Sequence, residues 1–363
     1  MTLLPLSSLE LPLLETPAVL RAAIRASRQL AELKGAAASI PNQGILISTL
    51  GLQEAKDSSA IENIVTTHNE LLISLVADTE RANAAAKEVR GYARALRVGF
   101  ERVQETGLIT SNLLIDTQTI LESHRAGFRK LPGTALRDQS TGAVVYTPPQ
   151  EPDAIVALMT DLERFINDAP PYTIDPLVRM AVIHHQFESI HPFYDGNGRT
   201  GRILNVLFLV QHGLLDIPVL YLSRYIVQTK AEYYRLLQQV RDNGVWEPWL
   251  LYMLTAIENT AADTLRTISD IKMVLHRYKH HIRERLPFYS QDLINSLFVH
   301  PYTRIDYLMS DLGISRPTAK RYLDALVREG LLTKHRLGRV NYFINIGLLE
   351  VLTAVEKTRQ LSG

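Results

Sequence analysis

The chain has no cysteine, and this absence sets the first limits on its chemistry. Without cysteine it forms no disulfide, uses no thiolate nucleophile and builds no cysteine-ligated metal site. A charge imbalance is missing too, because 39 Lys and Arg residues face 38 Asp and Glu residues and leave a net charge of +1. Any affinity for nucleic acid must therefore come from a local patch rather than from the whole chain.

Long apolar runs are also absent. Residues 1–17 are partly apolar, but they lack a basic stretch and contain Glu10 and several prolines. We therefore predict neither a signal peptide nor a membrane span, and we expect a cytoplasmic protein. With 363 residues, of which 46% are hydrophobic, the chain is long enough for two or three globular domains.

The most informative segment is the run HPFYDGNGRTGR at residues 191–202. Gly196, Asn197 and Gly198 can form a tight turn with exposed backbone N–H groups, because glycine adopts positive φ without strain and asparagine tolerates it. The apolar run at residues 203–212 predicts a helix directly after the turn. A helix N-terminus attracts anions through its free N–H groups and its dipole, so the segment predicts a phosphate-binding turn.

Charged residues around this turn complete a nucleotide site. Arg199 and Arg202 lie three residues apart, so they share a helix face and can hold phosphate oxygens in bidentate contacts. Asp195 precedes the turn and is an oxygen ligand that suits Mg²⁺. Histidine ordinarily titrates near neutrality, as a general base does, which makes His191 the candidate base. Together these residues predict phosphoryl or nucleotidyl transfer to a hydroxyl group.

The same segment matches every fixed position of HPFxDGNGRxxR, the signature of the Fic family. The chain therefore resembles a Fic protein adenylyltransferase, an enzyme that transfers AMP from ATP to a Ser, Thr or Tyr hydroxyl of a protein. Relatives of the phosphorylating Doc type carry Lys at the position of Gly198, so the resemblance favours adenylylation. It implies ATP as substrate, Mg²⁺ as cofactor, a protein substrate that can be the chain itself, and a homodimer.

The resemblance also implies a role for each matching residue. His191 is the implied catalytic base, Asp195 is the implied Mg²⁺ ligand, and the side chain of Asn197 is implied to help hold the phosphates. The implied ATP-binding residues come from the turn, the helix after it and the region that shapes the adenine pocket in relatives: Gly196, Asn197, Gly198, Arg199, Thr200, Gly201, Arg202, Thr229 and Tyr233.

Two more histidines precede the motif. Asp175 and Pro176 predict a helix start, as N-cap and first helical residue, and His184 and His185 lie on the helix that follows. A metal site that joins them to His191 is an alternative, but the spacing lacks the usual closed ligand set. Core positions are the favoured interpretation for both.

A pattern upstream points to regulation. Ser58, Glu62 and Asn63 fit Ser/Thr-x-x-x-Glu-Gly/Asn, a loose pattern that marks the inhibitory helix of Fic proteins. Its place before the catalytic motif agrees with the family class whose inhibitory helix is N-terminal. The resemblance implies that Glu62 pairs with Arg202 and keeps this guanidinium from the γ-phosphate of ATP. In some relatives the same glutamate positions a water that removes AMP, an alternative that the sequence leaves open.

A β-hairpin is predicted between the motif and the N-terminal region. Polar residues 138–142 predict a turn, the apolar run 143–146 predicts a strand, and prolines at 148 and 149 close it. The hairpin resembles the flap with which Fic proteins hold a target segment by strand pairing. An ordinary surface hairpin is the alternative.

The C-terminal region predicts a winged helix, with helices at 304–312 and 316–329 and strands at 331–335 and 340–344. Outward residues of this region could contact DNA phosphates: Thr318, Lys320, Arg321, Lys334, Arg336 and Arg339. A DNA-binding regulator whose Fic site senses ATP or modifies only itself is therefore the alternative function. Winged helices also serve as protein docking or dimer modules.

We thus expect a mainly α protein, with a Fic helical core, a β-hairpin flap and a C-terminal winged-helix domain. The N-terminal region is predicted to include an amphipathic helix that starts at Pro17 and ends at Gly35. The predicted domains are an N-terminal helical region at 1–104 with the inhibitory helix near 55–70, a catalytic core at 105–249, a helical linker at 250–286 and a winged helix at 287–363.

Overall fold

The structure, a computed structural model, describes residues 3–40, 42–64, 66, 84–138, 141–167, 174–299, 301–337 and 340–360. The chain divides into two compact units, each built from separate stretches of sequence. The first comprises Met1–Lys34, Glu54–Val65 and Glu88–Ala262, and the second comprises Gly35–Gln53, Thr66–Lys87 and Asp263–Gly363. The four consecutive domains expected from the sequence stay a prediction.

The first unit is built mainly from helices, some of which include residues assigned to the second unit. Two short 3-10 turns, Leu6–Ser8 and Leu11–Leu14, precede them. The helices are α1 (Pro17–Ala38), α2 (Gly44–Ile61), α3 (Ala84–Thr106), α4 (Ser111–Glu122), α5 (Pro152–Asn167), α6 (Pro176–Ile190), α7 (Asn197–Gln211), α8 (Ser223–Gln228), α9 (Lys230–Asn243) and α10 (Glu247–Arg285).

Helix α6 is the centre of this unit, since every residue from Leu177 to Ile190 is buried. A helix that is buried on all sides packs inside a helical core, whereas a surface helix buries one stripe. Its start is the predicted one, because the Asp175 side chain accepts a hydrogen bond from the Leu177 N–H at 2.8 Å and Pro176 follows the cap. Helix α7 is buried along most of its length and packs against α6. The loop between these two helices is therefore held between two buried, packed helices.

Helix α1 continues past Gly35 to Ala38, so the predicted end at Gly35 is wrong. Glycine ends a helix when it adopts positive φ after the last turn, and Gly35 does not have positive φ. Three alanines follow Gly35, and alanine is the strongest helix former, so the helix runs on.

The predicted hairpin is present, with shorter strands than the sequence indicates. Strand β1 (Leu136–Arg137) pairs antiparallel with β2 (Val144–Tyr146). Its turn is closed where the Asp138 side chain accepts a hydrogen bond from the Thr141 N–H at 2.8 Å. Residues 139 and 140 of the predicted turn lie outside the described residues.

The C-terminal part of the second unit is a winged helix. It contains α11 (Gln291–Val299), β3 (Tyr302–Thr303), α12 (Ile305–Leu312), α13 (Arg316–Arg328), β4 (Leu332–Leu337), β5 (Val340–Asn345) and α14 (Ile346–Gln360). The strands form an antiparallel sheet in the order β3-β5-β4, so a third short strand joins the predicted two. Residues 338 and 339 at the tip of the wing, which include the predicted DNA contact Arg339, lie outside the described residues.

Tyr278, in the part of α10 that belongs to the second unit, packs against the wing. Its hydroxyl donates to the Leu331 carbonyl at 2.7 Å and accepts from the Gly347 N–H at 3.0 Å. Position 347 suits a residue without a side chain, because a Cβ there would lie 2.6 Å from the Val274 side chain. Within the described ranges, no helix of either unit is long and apolar enough to cross a membrane.

Candidate functional site

The catalytic motif forms the loop between α6 and α7. Helix α6 ends at Ile190, and His191 follows it with φ of +49°. The N–H of His191 donates to the Phe187 carbonyl at 3.0 Å and closes the last turn. A residue with a side chain rarely adopts this left-handed conformation, so neighbouring groups must hold it there.

Two arginines hold this end of α6. Arg129 donates through Nε to the His191 carbonyl at 2.7 Å and through Nη2 to the Ile190 carbonyl at 3.2 Å. Arg241 donates through Nη2 to the Glu188 carbonyl at 3.0 Å. The last carbonyls of a helix lack partners within the helix and carry the negative end of its dipole, so cations suit them. The sequence does not predict either arginine here, because no local pattern connects them to the motif.

The imidazole of His191 is held neutral. Burial is the main cause that lowers its pKa from 6.5 to about 3, and the charges of Arg241 and Arg129 lower it further. Nδ1 is buried and has no hydrogen-bond partner among the described residues. At neutral pH the ring is therefore neutral and has a lone pair that can accept a proton, but it is a weaker base than the ordinary imidazole, with a pKa near neutrality, that the sequence predicts.

Glycine and asparagine shape the turn that starts α7. Gly196 has φ of +75°, and a Cβ there would lie 2.7 Å from Oε1 of Glu122, so only glycine fits. The Asn197 side chain accepts from the Phe193 N–H and donates to the Phe193 carbonyl, both at 2.8 Å. This amide thus braces the loop from within, and its predicted contact with phosphate stays a prediction. A Cβ at Gly198 would lie 2.8 Å from Oε1 of Glu62.

The next two predicted ATP-binding residues lie on the core side of α7. Thr200 is fully buried. A Cβ at Gly201 would lie 2.7 Å from Oε1 of Glu188 and 3.1 Å from the Phe187 ring, which shows how closely α7 packs on α6 there. Neither Thr200 nor Gly201 lines the pocket described below.

Arg202 meets the end of α2. Its Nη2 donates to Oε1 of Glu62 at 2.9 Å and to the Ser58 carbonyl at 3.0 Å, and its Nε donates to Oγ of Ser58 at 2.7 Å. Arg202 is 3% exposed. Burial is the largest single influence and lowers its pKa, but neighbouring groups, Glu62 first among them, together outweigh burial and raise the pKa. The ion pair expected between Glu62 and Arg202 is therefore present in the structure.

Arg199 is surrounded by carboxylates. Its nitrogens lie 2.7 Å from Oε2 of Glu62, 2.9 Å from Oε2 of Glu88 and 2.8 Å from Oε1 of Glu122, and Asp195 lies 3.7 Å away. Glu62 thus bridges both arginines of the motif, one with each oxygen. Glu88 and Glu122 come from α3 and α4, and their distance along the chain hides them from any motif search.

The backbone conformation of Asn63 explains why the inhibitory pattern ends in glycine or asparagine. It follows α2 with φ of +63°, a conformation that glycine and asparagine adopt most easily. Its side-chain oxygen accepts a hydrogen bond from Nζ of Lys230 at 3.1 Å. Residues 65 and 67–70 of the predicted inhibitory segment lie outside the described residues.

Asp195 is the candidate metal ligand. Its side chain is 72% exposed, and Oδ1 accepts a hydrogen bond from the Gly196 N–H at 2.7 Å. In the described part of the chain, no cluster of three or more acidic, histidine or cysteine side chains could hold a metal by itself. Mg²⁺ commonly takes one or two carboxylates together with substrate phosphates and water. An accessible carboxylate beside a phosphate-binding turn fits such an ion.

These groups face a pocket of about 930 Å³. That volume lies within the range of typical ligand pockets, roughly 300 to 1,000 Å³. The predicted site residues that line it are Glu62, His191, Asp195, Gly196, Asn197, Gly198, Arg202 and Tyr233. The flap contributes Val145 and Tyr146, and α9 contributes Lys230 and Tyr234. Arg199 and Thr229 do not line it.

The two residues predicted near the adenine pocket are packed against other side chains. The Thr229 hydroxyl donates to the Tyr225 carbonyl at 2.7 Å and lies 2.8 Å from the Tyr252 hydroxyl. Tyr233 is 2% exposed and its hydroxyl contacts Nε2 of His184 at 2.8 Å. The neighbouring Tyr234 is 47% exposed and offers the more accessible ring.

His184 and His185 are core residues, as favoured by the sequence. Besides Tyr233, His184 contacts the Asn205 side chain at 3.1 Å, and Nε2 of His185 lies 3.3 Å from the Leu237 carbonyl. Burial lowers the pKa of each to about 3. Both rings are therefore neutral at physiological pH.

Comparison with family models finds three matches. Residues 20–101 match the Fic/DOC family N-terminal model, and residues 114–209 match the Fic/DOC family model. Residues 274–348 match the C-terminal domain of the protein adenylyltransferase SoFic-like family. Together the matches cover more than half of the chain.

Curated relatives are similar over part of the chain. Protein adenylyltransferase fic-1 of Caenorhabditis elegans is 35% identical over 142 residues, which are 38% of this chain and 26% of the relative. Protein adenylyltransferase Fic of Drosophila melanogaster is 28% identical over 160 residues, which are 43% of this chain and 31% of the relative. The chain thus spans less than a third of the length of these relatives.

Solved structures share the fold. A Fic family protein from Desulfovibrio desulfuricans G20 has a TM-score of 0.57 and 20% identity, with 91% of this chain and 96% of the other covered. Part of Fic-1 from C. elegans has a TM-score of 0.52 and 21% identity, with 70% and 74% covered. The matching models, the motif at its helix junction and this fold show that the chain belongs to the Fic family.

Proposed function

We propose that the chain is a protein adenylyltransferase that transfers AMP from ATP to a Ser, Thr or Tyr hydroxyl of a protein, itself included. The observation that carries this proposal is one pocket in which a neutral His191 lies with the N-terminal turn of α7, Asp195 and Arg202. The names of the curated relatives, which are protein adenylyltransferases, support the same activity.

Each group has a chemical role in this reaction. His191 accepts the hydroxyl proton as the oxygen forms its bond to the α-phosphorus, and the bond from that phosphorus to the pyrophosphate oxygen breaks. The N–H groups at the start of α7 hold the phosphates by charge and geometry. Asp195 would hold Mg²⁺, which when bound offsets the charge of the phosphates. Arg199 and Arg202 would hold the β- and γ-phosphates.

The contacts of Glu62 support an autoinhibited form. Its carboxylate occupies both arginines, so the terminal phosphates of ATP must displace it or bind elsewhere. A buried ion pair gains attraction but loses hydration, which leaves a net strength small enough for a substrate to reverse. We therefore propose that Glu62 lowers the productive binding of ATP.

Intact-mass spectrometry tests both parts of the proposal. The purified chain and its Glu62→Gly and His191→Ala variants are incubated with ATP and Mg²⁺, with Glu62→Gln as the variant that removes the charge alone. We expect an added AMP mass that is larger in Glu62→Gly and Glu62→Gln and absent in His191→Ala. An added phosphate mass would contradict adenylylation. Loss of AMP from modified protein after ATP is removed would show whether Glu62 also supports the reverse reaction.

A second candidate function, DNA binding, is favoured by the surface of the winged helix. Lys320 and Arg321 are exposed on α13, and Lys334 is exposed on β4. Such residues contact DNA phosphates in other winged helices, and their binding weakens steeply with salt. A gel-shift titration of duplex DNA at two salt concentrations tests it, with and without ATP. A Lys320→Ala/Arg321→Ala variant should bind less if α13 docks on DNA.

The assembly and location of the chain stay predictions of the resemblance and of the sequence. We propose a homodimer, which light scattering at several concentrations tests. A cytoplasmic location is tested by fractionating cells that express the tagged protein.

A further inference from the structure

A second buried carboxyl lies on the inhibitory helix. Glu54 precedes Ser58 by four residues, so both lie on one face of α2, and Glu62 follows directly after the helix end at Ile61. Glu54 is 2% exposed. Neither the proposed reaction nor the inhibitory pattern uses it, although a buried carboxyl is unfavourable unless something compensates it.

Two other helices hold the Glu54 carboxyl. Oε1 accepts a hydrogen bond from the Tyr92 hydroxyl of α3 at 2.8 Å and another from the Ser223 hydroxyl at the start of α8. Oε2 is buried and has no hydrogen-bond partner within the described ranges. The carboxyl therefore ties α2 to both neighbours through a single oxygen.

This contact continues to the catalytic motif. The Tyr92 hydroxyl also shares a hydrogen bond with the Ser58 side chain. Oγ of Ser58 accepts from Arg202 at 2.7 Å, and Arg202 binds Glu62. Five side chains thus form a continuous polar network from Glu54 to Glu62.

Packing alone does not explain a carboxyl at this position. Burial raises the pKa of Glu54 to about 7, although Ser223, Tyr92 and the charge of Arg202 favour its ionised form. An apolar side chain of similar size would avoid this cost. Buried polar groups are best known for fixing the register of a helix against its neighbours, because any other register leaves them unpaired.

On the basis of the proposed autoinhibition, we propose that Glu54 is the positioning residue of the inhibitory helix. Its contacts with Tyr92 and Ser223 fix the rotation of α2 at which Ser58 and Glu62 meet Arg202. Without them the last turn of α2 adopts other rotations, and Arg202 spends more time free to bind phosphate.

The test compares substitutions of Glu54 in two backgrounds. Glu54→Leu keeps the volume and removes the acceptor, and Glu54→Gln keeps an acceptor oxygen for both hydroxyls. Each is made in the wild-type chain and in Glu62→Gly, and the rate of AMP incorporation and the Kd for ATP are measured. Thr49→Val is the matched control, because Thr49 is a buried residue of α2 whose hydroxyl, among the described residues, donates to the Ile45 carbonyl of the same helix and has no other partner.

We expect Glu54→Leu to raise the rate in the wild-type background roughly fivefold or more, because it removes two hydrogen bonds and the net contribution of even one corresponds to about that factor. Glu54→Gln and Thr49→Val should stay near the wild-type rate. In the Glu62→Gly background, Glu54→Leu should add nothing, because the contact that it positions is already absent. A merely structural role would instead lower the rate in both backgrounds.

Other outcomes separate the positioning role of Glu54 from the autoinhibition by Glu62 on which it rests. If Glu62→Gly raises the rate and Glu54→Leu does not, Glu54 does not position the helix. An equal gain from Glu54→Leu in both backgrounds overturns the proposal as well, because the effect would bypass Glu62. If Glu62→Gly leaves the rate unchanged, autoinhibition itself fails. Should Glu54→Leu not fold, Ser223→Ala removes one of the two hydrogen bonds and should give a smaller gain with the same dependence on Glu62.

Discussion

Two ion-paired sites of the chain, one in each unit, differ in their exposure. In the first unit, the Arg199 and Arg202 side chains are only 3% exposed, and both pair with Glu62. In the second, the Arg316 and Asp306 side chains pair at 2.8 Å while 65% and 51% exposed. Removing one member of a buried pair leaves a charge without compensation, whereas water replaces an exposed partner. An ion pair of the same chemical type can therefore act as a switch where it is buried and only as a surface feature where it is exposed.

The largest expected effect tests whether the buried site is catalytic. His191→Ala in the Glu62→Gly background should lower the rate of AMP incorporation by about 100-fold to 10,000-fold, the range for loss of a general base. The Kd for ATP should change little, because the phosphates are held by α7 and the arginines. Rate and affinity are measured by intact mass and by nucleotide titration. A parallel loss of ATP affinity would show that His191 serves binding instead.

The second prediction uses the pH dependence of a buried carboxyl. Burial raises the pKa of Glu54 from 4.5 to about 7. The Glu54 carboxyl therefore contributes to the free energy of unfolding below pH 4.5 in full, and this contribution is lost as pH rises through about 7. Relative to wild type, Glu54→Gln should gain free energy of unfolding between pH 4.5 and 8, by at most about 3 kcal/mol.

Urea unfolding at both pH values measures this difference. The buried His184 and His185 change stability with pH in the opposite direction. Their pKa values are lowered, so the stability that they contribute to the fold is lost as pH falls below 6.5. They are present in both proteins, so they cancel when the variant is compared with wild type. An equal difference at both pH values would contradict the raised pKa.

The third prediction compares two glutamates on one arginine. Glu62→Gly should tighten ATP binding by roughly tenfold, about 1.4 kcal/mol, because it removes the carboxylate on Arg202 and one of the carboxylates on Arg199. Glu88→Gly should have a smaller effect, since Glu88 contacts Arg199 but not Arg202. Titration with ATP measures both. Equal effects would show that Arg202 has no special part in the inhibition.

The sequence predicts the turn and its helix because the residues that form them are consecutive. Gly196 to Arg202 carry their own backbone preferences, and the apolar run after them fixes the helix. The carboxylates of Glu88 and Glu122 that surround Arg199 could not be predicted, because they reach it from 111 and 77 residues away. Arg129 and Arg241, which hold the end of α6, are hidden for the same reason.

The fold follows a similar rule. Asp175 and Pro176 predict the start of α6 because a cap is a local feature, and the structure confirms it. The end of α1 is not local, since Gly35 ends a helix only if its φ becomes positive. Strand β3, with two residues, is too short for any alternating pattern and exists because β5 offers it an edge. Local patterns thus predict where elements begin, and tertiary contacts decide how far they extend.

The smallest expected effect lies in the second unit. Arg316→Ala should change the free energy of unfolding by less than about 1 kcal/mol, because exposed ion pairs are screened by water and salt. Lys334→Ala should change the free energy of unfolding equally little, since Lys334 lies 3.8 Å from Asp324 and both side chains are about 40% exposed. Thermal unfolding at low and high salt measures both variants. A larger loss that persists in high salt would mean that these charges are structural, and the contrast between the two units would fail.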